Sequence, residues 1–403
     1  MHDLNKINLF CESINFDHEL SNELYLFFYV NRYYKLYDFE NCFKIKHFLL
    51  FIPNLFILFL SSILLPLFLL FFSRGKIKVN NSKCLYVKKS FNSYKKVNHI
   101  LPTDTYLLDA NVSYYFRPSE NNLFSQCFIV RLKAFIFTPF ITIKNLFQVF
   151  IFIFKYLSIS DVFEVVSFYK YRLVHFVVYQ IYFKYFLNNN DFNIFYTTNK
   201  ECRFAGLDIS ICKKYNLKSI CVPHGLEYIF KLPAGLPGDK FFCLSEISKN
   251  HLIYLYNDTN KFVYDKELVD SIYAHPEVNL SDKKKIIFFT EPRGVFINKL
   301  IINGLLNSGL CFYVHLHPSD ALSNYSEFPD TLFNVFDYPI VGNIVLARKS
   351  TVLLEALFNN SISVSALIHP YDKDSFSLFP SLQSKLIYKY YDINSLILFL
   401  RQL

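Results

Sequence analysis

Lys285 to Pro318 reads KIIFFTEPRGVFINKLIINGLLNSGLCFYVHLHP, and its pattern decides the fold class. KIIFFT (285–290) is an apolar run of strand length, rich in β-branched and aromatic residues. Phe296 to Asn307 has the apolar spacing of a helix, and CFYVH (311–315) is a second strand running to His317-Pro318. Strand, helix, strand on this scale predicts parallel pairing, with helices covering the sheet. Downstream the alternation continues: NIVL (343–346) as a strand, Ser350 to Phe358 as a helix, Ile362 to Leu367 as a strand, and Ile393 to Leu400 as a helix.

Upstream, a similar alternation occupies the middle of the chain. NIFYTT (193–198) is a strand, Ala205 to Tyr215 a helix, and SICV (219–222) a strand entering Pro223-His224-Gly225. KFFCL (240–244) and a helix over Ile247–Tyr256 follow. Residues 257–284 are polar and charged, as expected of a linker. A chain of 403 residues exceeds the ~250–300 residues that one hydrophobic core usually serves. The expectation is therefore an α/β protein with two Rossmann-like domains, 81–256 and 285–403, joined at 257–284 and preceded by an N-terminal region, 1–80. In such sheets, ligands bind beyond the carboxyl ends of the strands.

The N-terminal region carries FLLFIPNLFILFLSSILLPLFLLFF (48–72), 25 residues without a charge. A helix of that length can cross a hydrocarbon core of ~30 Å. Lys44, Lys46 and His47 precede it and Arg74, Lys76 and Lys78 follow, so the flanking charge orients it weakly. Pro53 and Pro66 keep an interfacial helix or a re-entrant hairpin in competition with a span. A second apolar stretch, Phe135–Leu157, contains Lys144 and Lys155, which suit an amphipathic helix packed on a sheet or one on the membrane surface, and the packed helix is expected.

Composition narrows the function classes. Apolar residues make up 52%, including 47 Phe and 30 Tyr, with no Trp and one Met; such a bias resembles the imprint of an AT-rich genome and excludes a disordered chain. The net charge of +9 fits a membrane surface and an anionic nucleotide-linked substrate. Without an arginine-rich tract or zinc-finger spacing, nucleic acid is not an expected partner. Short lysine runs such as Lys283-Lys284-Lys285 are ordinary solvated faces. The nine cysteines (Cys11, Cys42, Cys84, Cys127, Cys202, Cys212, Cys221, Cys243, Cys311) are dispersed and form no CxxC pair, as expected of free thiols in a reducing compartment. Asp3, Glu12, Asp17, Glu19 and Glu23 interrupt any apolar run of the signal-peptide kind, so a cytoplasm-facing protein is expected.

Three short motifs follow strands. His315 and His317 share a face if the strand extends that far, and a histidine there can donate to a phosphate or stabilise it as it leaves, or is simply a turn histidine at a strand end. Ser350 and Thr351 place hydroxyls at a helix start, where phosphate binding and plain N-capping compete, and Glu355 lies just over one turn on. In Pro223-His224-Gly225-Leu226-Glu227, His224 or Glu227 can serve as general base, or the segment is simply a turn. Arg293, in the loop after 285–290, can meet a phosphate or remain a solvated turn residue. No DxD-type acidic pair stands in a loop, and no metal or other cofactor is expected.

In this order, Pro-His-Gly (223–225), His317-Pro318 and Ser350-Thr351 with Glu355-Ala356 resemble the bacterial GT-B transferases of capsule, lipopolysaccharide and O-antigen assembly. Among these, sialyltransferases and Kdo transferases use CMP-activated acidic sugars and hold CMP with an HP motif and a Ser-Ser/Thr motif. The likeness covers roughly residues 190–370. It implies a GT-B fold, two Rossmann-like domains facing a cleft, with the second domain binding donor and the first binding acceptor. It implies that His317, Ser350 and Thr351 contact the donor phosphate and that Glu355 holds the ribose. The expected reaction is metal-independent and inverting, from a CMP-linked donor to a glycan or lipid-linked glycan, at the cytoplasmic face of the inner membrane. The acidic Asp/Glu-Asp/Glu-Gly triplet of the sialyltransferases is missing before residue 225, which leaves Glu227, His224, Asp109 and Asp208 as candidate bases. A CDP-dependent polyol-phosphate transferase, a UDP- or GDP-sugar transferase and a non-enzymatic scaffold of a polysaccharide assembly complex are the alternatives.

Overall fold

Parallel strands alternate with helices along most of the chain, and they form two sheets. The structure, a computed structural model, describes residues 20, 22–24, 26–27, 47–72, 77, 79, 81–111, 121–156, 159–200, 204–223, 225–232, 235–275, 284–333 and 339–403. They fall into two units, one within Met1–His224 with Leu232–Phe241, the other Gly225–Lys231 with Phe242–Leu403.

In the first unit, β1 (Cys84–Lys88), β2 (Tyr106–Asp109), β3 (Ile194–Thr197), β4 (Lys218–Cys221) and β5 (Lys240–Phe242) lie in the order β2-β1-β3-β4-β5, all parallel. Three long helices accompany this sheet: α1 (Phe51–Phe72), α3 (Phe128–Tyr156) and α4 (Ile159–Asn188), which pack against one another. The shorter α2 (Phe91–Val97) and α5 (Ala205–Lys214) complete the crossovers. Helix α4 is the core of the unit: Val165, Val166, Leu173, Val174, Phe176, Val177, Tyr179, Tyr182 and Phe183 are all fully buried. Residues on several sides of it are buried, so its apolar face is not a single stripe.

Helix α1 is one continuous helix, so the re-entrant hairpin is not formed. Pro53 falls in its first turn, where backbone N–H groups lack intrahelical partners anyway, and only Pro66 interrupts the interior ladder. Both α1 and α3 are long and apolar enough to cross a membrane. They also leave large apolar side chains outside: Ile52, Phe56 and Phe71 on α1, and Phe137, Phe140, Phe147 and Phe154 on α3. The expected sheet-packed role for 135–157 is therefore corrected. Helix α3 packs on helices α1 and α4, and its opposite face is apolar and exposed. Contiguous exposed apolar surface of this kind marks an interaction site, and the chain's apolar helices suit association with a membrane. The flanking Lys44, Lys46, Arg74, Lys76 and Lys78 lie outside the described residues.

The second unit holds β6 (Phe262–Val263) and a five-stranded parallel sheet in the order β11-β10-β9-β7-β8. Its strands are β7 (Ile286–Phe289), β8 (Phe312–His315), β9 (Ile344–Ala347), β10 (Ile362–Ala366) and β11 (Ile387–Tyr390). Its helices are α6 (Glu246–Tyr256), α7 (Lys266–Tyr273), α8 (Val295–Asn307), α9 (Val352–Leu357), α10 (Pro370–Phe376) and α11 (Ile393–Gln402). The domain boundary differs from the one expected at 256, because Phe242 and the whole of α6 belong to the second unit. The expected linker contains α7, capped by the Asp265 carboxylate, whose Val269 and Tyr273 enter the core with Leu353 and Ala356. Its charged composition is that of a helix with one buried face, and 276–283 lies outside the described residues.

Candidate functional site

From β7 the chain passes through α8 to β8 on one side, then returns to β9 on the other side of β7. The carboxyl ends of β7 and β9 therefore form a topological switch point, where the two loops diverge and leave a crevice. Thr290-Glu291-Pro292-Arg293-Gly294 leaves β7 there, and Arg348-Lys349-Ser350-Thr351 leaves β9. Gly294 starts α8 at φ 70, a left-handed conformation that glycine accepts without penalty.

These two loops are locked by a buried arginine. Arg348, fully excluded from solvent, donates from Nε and Nη2 to the two oxygens of Asp372 at 2.7 and 2.8 Å. Its Nη1 donates to the carbonyl of Arg293 at 2.8 Å and to Asn298 Oδ1 at 3.0 Å. Glu291 accepts the Lys349 backbone N–H at 2.7 Å, and Lys349 Nζ stands 3.3 Å from Asp372 Oδ1 and over the Tyr371 ring. Burial works against the charge of Arg348, but Glu291 and Asp372 outweigh it and hold the guanidinium above its usual range. A bidentate, hydrogen-bonded pair of this type is the form in which a buried charge is tolerated.

The network extends toward β8. Asn298 donates to the Tyr325 hydroxyl at 2.7 Å, and Tyr325 donates to Asp320 at 2.5 Å. Burial first, then the Asp320 carboxylate, pushes the Tyr325 phenol up. The His317 N–H donates to Thr290 Oγ1 at 3.0 Å, which ties the His-Pro turn to the end of β7.

Strand β8 stops at His315, so the condition for placing His315 and His317 on one strand face is not met. His315 packs its ring 5.0 Å from that of Phe289, and burial lowers its pKa. His317 lies in the turn, where Nδ1 accepts the Ser319 N–H at 3.0 Å. An accepting Nδ1 places the proton of the neutral ring on Nε2. No hydrogen bond to Nε2 is formed among the described residues, and this atom is the donor the turn presents. Pro318, exposed, restricts the turn that holds it.

Ser350 and Thr351 precede a helix shorter than expected, since α9 begins at Val352 and has six residues. Ser350 Oγ accepts the Val352 N–H at 3.4 Å, while the Thr351 side chain makes no cap bond. Glu355 is half-buried on α9, and Arg293 is exposed. The second sheet's carboxyl edge thus gathers Arg293, His317, Ser350 and Thr351 onto three neighbouring strand ends.

The other expected residues lie apart from this edge. Glu227 is fully buried; its Oε1 accepts the Leu244 N–H at 2.7 Å and its Oε2 the Ser381 hydroxyl at 3.0 Å. These bonds give it a structural occupation, whereas a general base must reach the proton it removes. Asp208 is buried against Lys89 and the Tyr179 hydroxyl, and Asp109 pairs with Lys88 at 3.2 Å. His224 lies outside the described residues. One DxD triplet does occur, Asp372-Lys373-Asp374, but it lies in α10 and Asp372 is committed to Arg348 and Lys349. No group of three or more His, Cys, Asp or Glu side chains suited to a metal occurs among the described residues.

Arg348, Asp372, Asn298 and Tyr325 escaped the sequence reading. The available signal was Arg348 itself, a charge directly after the wholly buried strand IVLA (344–347). Its partner, 24 positions away, has no fixed spacing to reveal it. No family model, curated protein or solved structure matches the chain.

Proposed function

We propose that this chain is a glycosyltransferase of the GT-B type, moving an acidic sugar of the sialic acid or Kdo kind from a CMP-linked donor to a surface glycan or lipid-linked glycan. The observation that carries this reading is the placement of Arg293, His317, Ser350 and Thr351 at the carboxyl ends of the neighbouring strands β7, β8 and β9, with His317 Nε2 as an available donor. Attack of an acceptor hydroxyl on the anomeric carbon breaks the bond to the CMP phosphate and inverts the centre. Charge then grows on the departing phosphate oxygen. His317 Nε2–H and the Arg293 guanidinium stabilise it, and the two hydroxyls hold the phosphate in place. Glu355, one turn into α9, is assigned the ribose. The acceptor proton passes to His224, the base that this reading retains because Glu227 is enclosed. Arg348 and Asp372 do not meet the donor; they fix the loops that do. The apolar helices α1 and α3 support a location at a membrane, and the reading takes the cytoplasmic face of the inner membrane.

Thermal stabilisation of the purified chain by CMP, CDP, UDP and GDP tests the proposal. CMP-selective stabilisation, lost in His317→Ala, is the expected result. Stabilisation by CDP alone supports a polyol-phosphate transferase, and by UDP or GDP a different sugar donor. No response to any of the four overturns the enzymatic reading in favour of a scaffold.

A further inference from the structure

The first unit holds a cavity of about 860 Å³, within the size range of small-molecule sites. It lies at the carboxyl edge of the sheet, because Lys89 leaves β1 and Ala110 and Asn111 leave β2 on its wall. The rest of the lining comes from α1, through Ile57, Leu60, Leu64 and Leu65, and from α4, through Phe168, Arg172 and His175.

Its charge is one-sided. Lys89 and Arg172 both line the cavity, while their carboxylate partners Asp208 and Glu23 are not among its described walls. No described Asp or Glu faces it. Each cation is anchored from behind, Lys89 by Asp208 and Arg172 by Glu23 at 2.8 Å. Between them sits Phe204, which lines the cavity with its backbone at φ 68. That conformation is strained for a bulky side chain. It is held by the Glu23 carboxylate, which accepts the Phe204 N–H at 3.0 Å, and by ring contacts to His175, Phe176 and Tyr179. Strain of this kind concentrates at ligand sites.

We infer that this cavity binds a membrane amphiphile, an apolar chain lying along α1 and a phosphate head reaching Arg172 and Lys89. Apolar residues of a helix fit for a bilayer, lining one cavity with two anchored cations, match that ligand and neither a free sugar nor a bare anion. Resting on the glycosyltransferase reading, the inference makes the acceptor lipid-carried and assigns its carrier to the first unit.

The experiment measures binding of radiolabelled farnesyl phosphate to the full chain in neutral detergent, against farnesol and inorganic phosphate, with CMP stabilisation recorded on the same samples. The expected result is saturable farnesyl phosphate binding that farnesol and inorganic phosphate displace only weakly, by a margin of about tenfold or more. Leu64→Trp fills the cavity from α1 without moving a charge and should abolish binding, while Phe56→Trp, on the outward face, should leave it intact. The pair Glu23→Gln with Arg172→Gln removes both ions together, leaving no lone buried charge, and should weaken farnesyl phosphate but not farnesol. Equal binding of farnesol, or unchanged binding in Leu64→Trp, overturns the inference. A CMP response without any farnesyl phosphate binding overturns it while leaving the donor reading intact. Farnesyl phosphate binding without a nucleotide response supports the cavity assignment and removes the transferase reading.

Discussion

Five strands run in the same order in both sheets, but the two carboxyl edges present different chemistry. In each, the first strand is flanked by the second and third, so both contain a switch point, β1 against β3 and β7 against β9. Each edge also carries a buried ion pair, Lys89 with Asp208 in the first unit and Arg348 with Asp372 in the second. In the second unit, polar loop residues surround that pair. In the first, the surroundings are the apolar sides of α1 and α4 around a cavity. Topology thus sets where a ligand can lie, and the side chains delivered to that edge set which chemistry it meets.

The strongest break of this comparison is the loss of one ion from either pair. Arg348→Met should destabilise the second unit by about 3–5 kcal/mol, because it strips the buried Asp372 of its bidentate partner and leaves only Lys349, at 3.3 Å, beside it. Arg348→Met combined with Asp372→Leu should recover most of that loss, as read from denaturant midpoints. Lys89→Met should behave similarly in the first unit, and a negligible effect at either position would show that its pair is not a structural lock.

His317→Ala should lower transfer about 10²–10³-fold by removing one donor to the leaving phosphate, with folding unchanged. Comparing single-turnover rates with thermal stability checks this, and a rate within a few-fold of the parent would remove His317 from the chemistry.

Acid pH should act more gently. Burial lowers the pKa of both His315 and His369, so the unfolded chain binds more protons than the folded one at mildly acid pH. The sign follows: their contribution is intact above about 6.5, the unfolded value, and is lost as pH falls below it. Melting temperature followed from pH 7.5 downward should show a shallower decline in His315→Phe than in the parent.

The smallest effect belongs to the exposed apolar face of α1. Because the chain has no tryptophan, Phe56→Trp introduces a single indole, whose emission red-edge excitation separates from that of the tyrosines. It should change stability by no more than about 0.5 kcal/mol. Its emission should be quenched by brominated lipid vesicles; absence of quenching would place this face away from a bilayer.

The sequence alone determined the strands β3, β4, β7, β8, β9 and β10 and the helices α5, α6, α8 and α11, each to within about two residues of its place. It also located the His-Pro turn and the apolar helix. These are local matters, decided by apolar period and turn chemistry, which neighbouring residues carry. It did not show β1, β2 or the core helix α4. Their residues resemble the apolar stretches around them, and their burial depends on partners distant in sequence. Only the tertiary structure brought Arg348 to Asp372, closed Glu227 away from solvent, and brought Lys89 and Arg172 to the lining of one cavity. A contact between distant residues leaves no period in the chain, and whether a charge is a ligand, a lock or a solvated side chain follows from what surrounds it after folding.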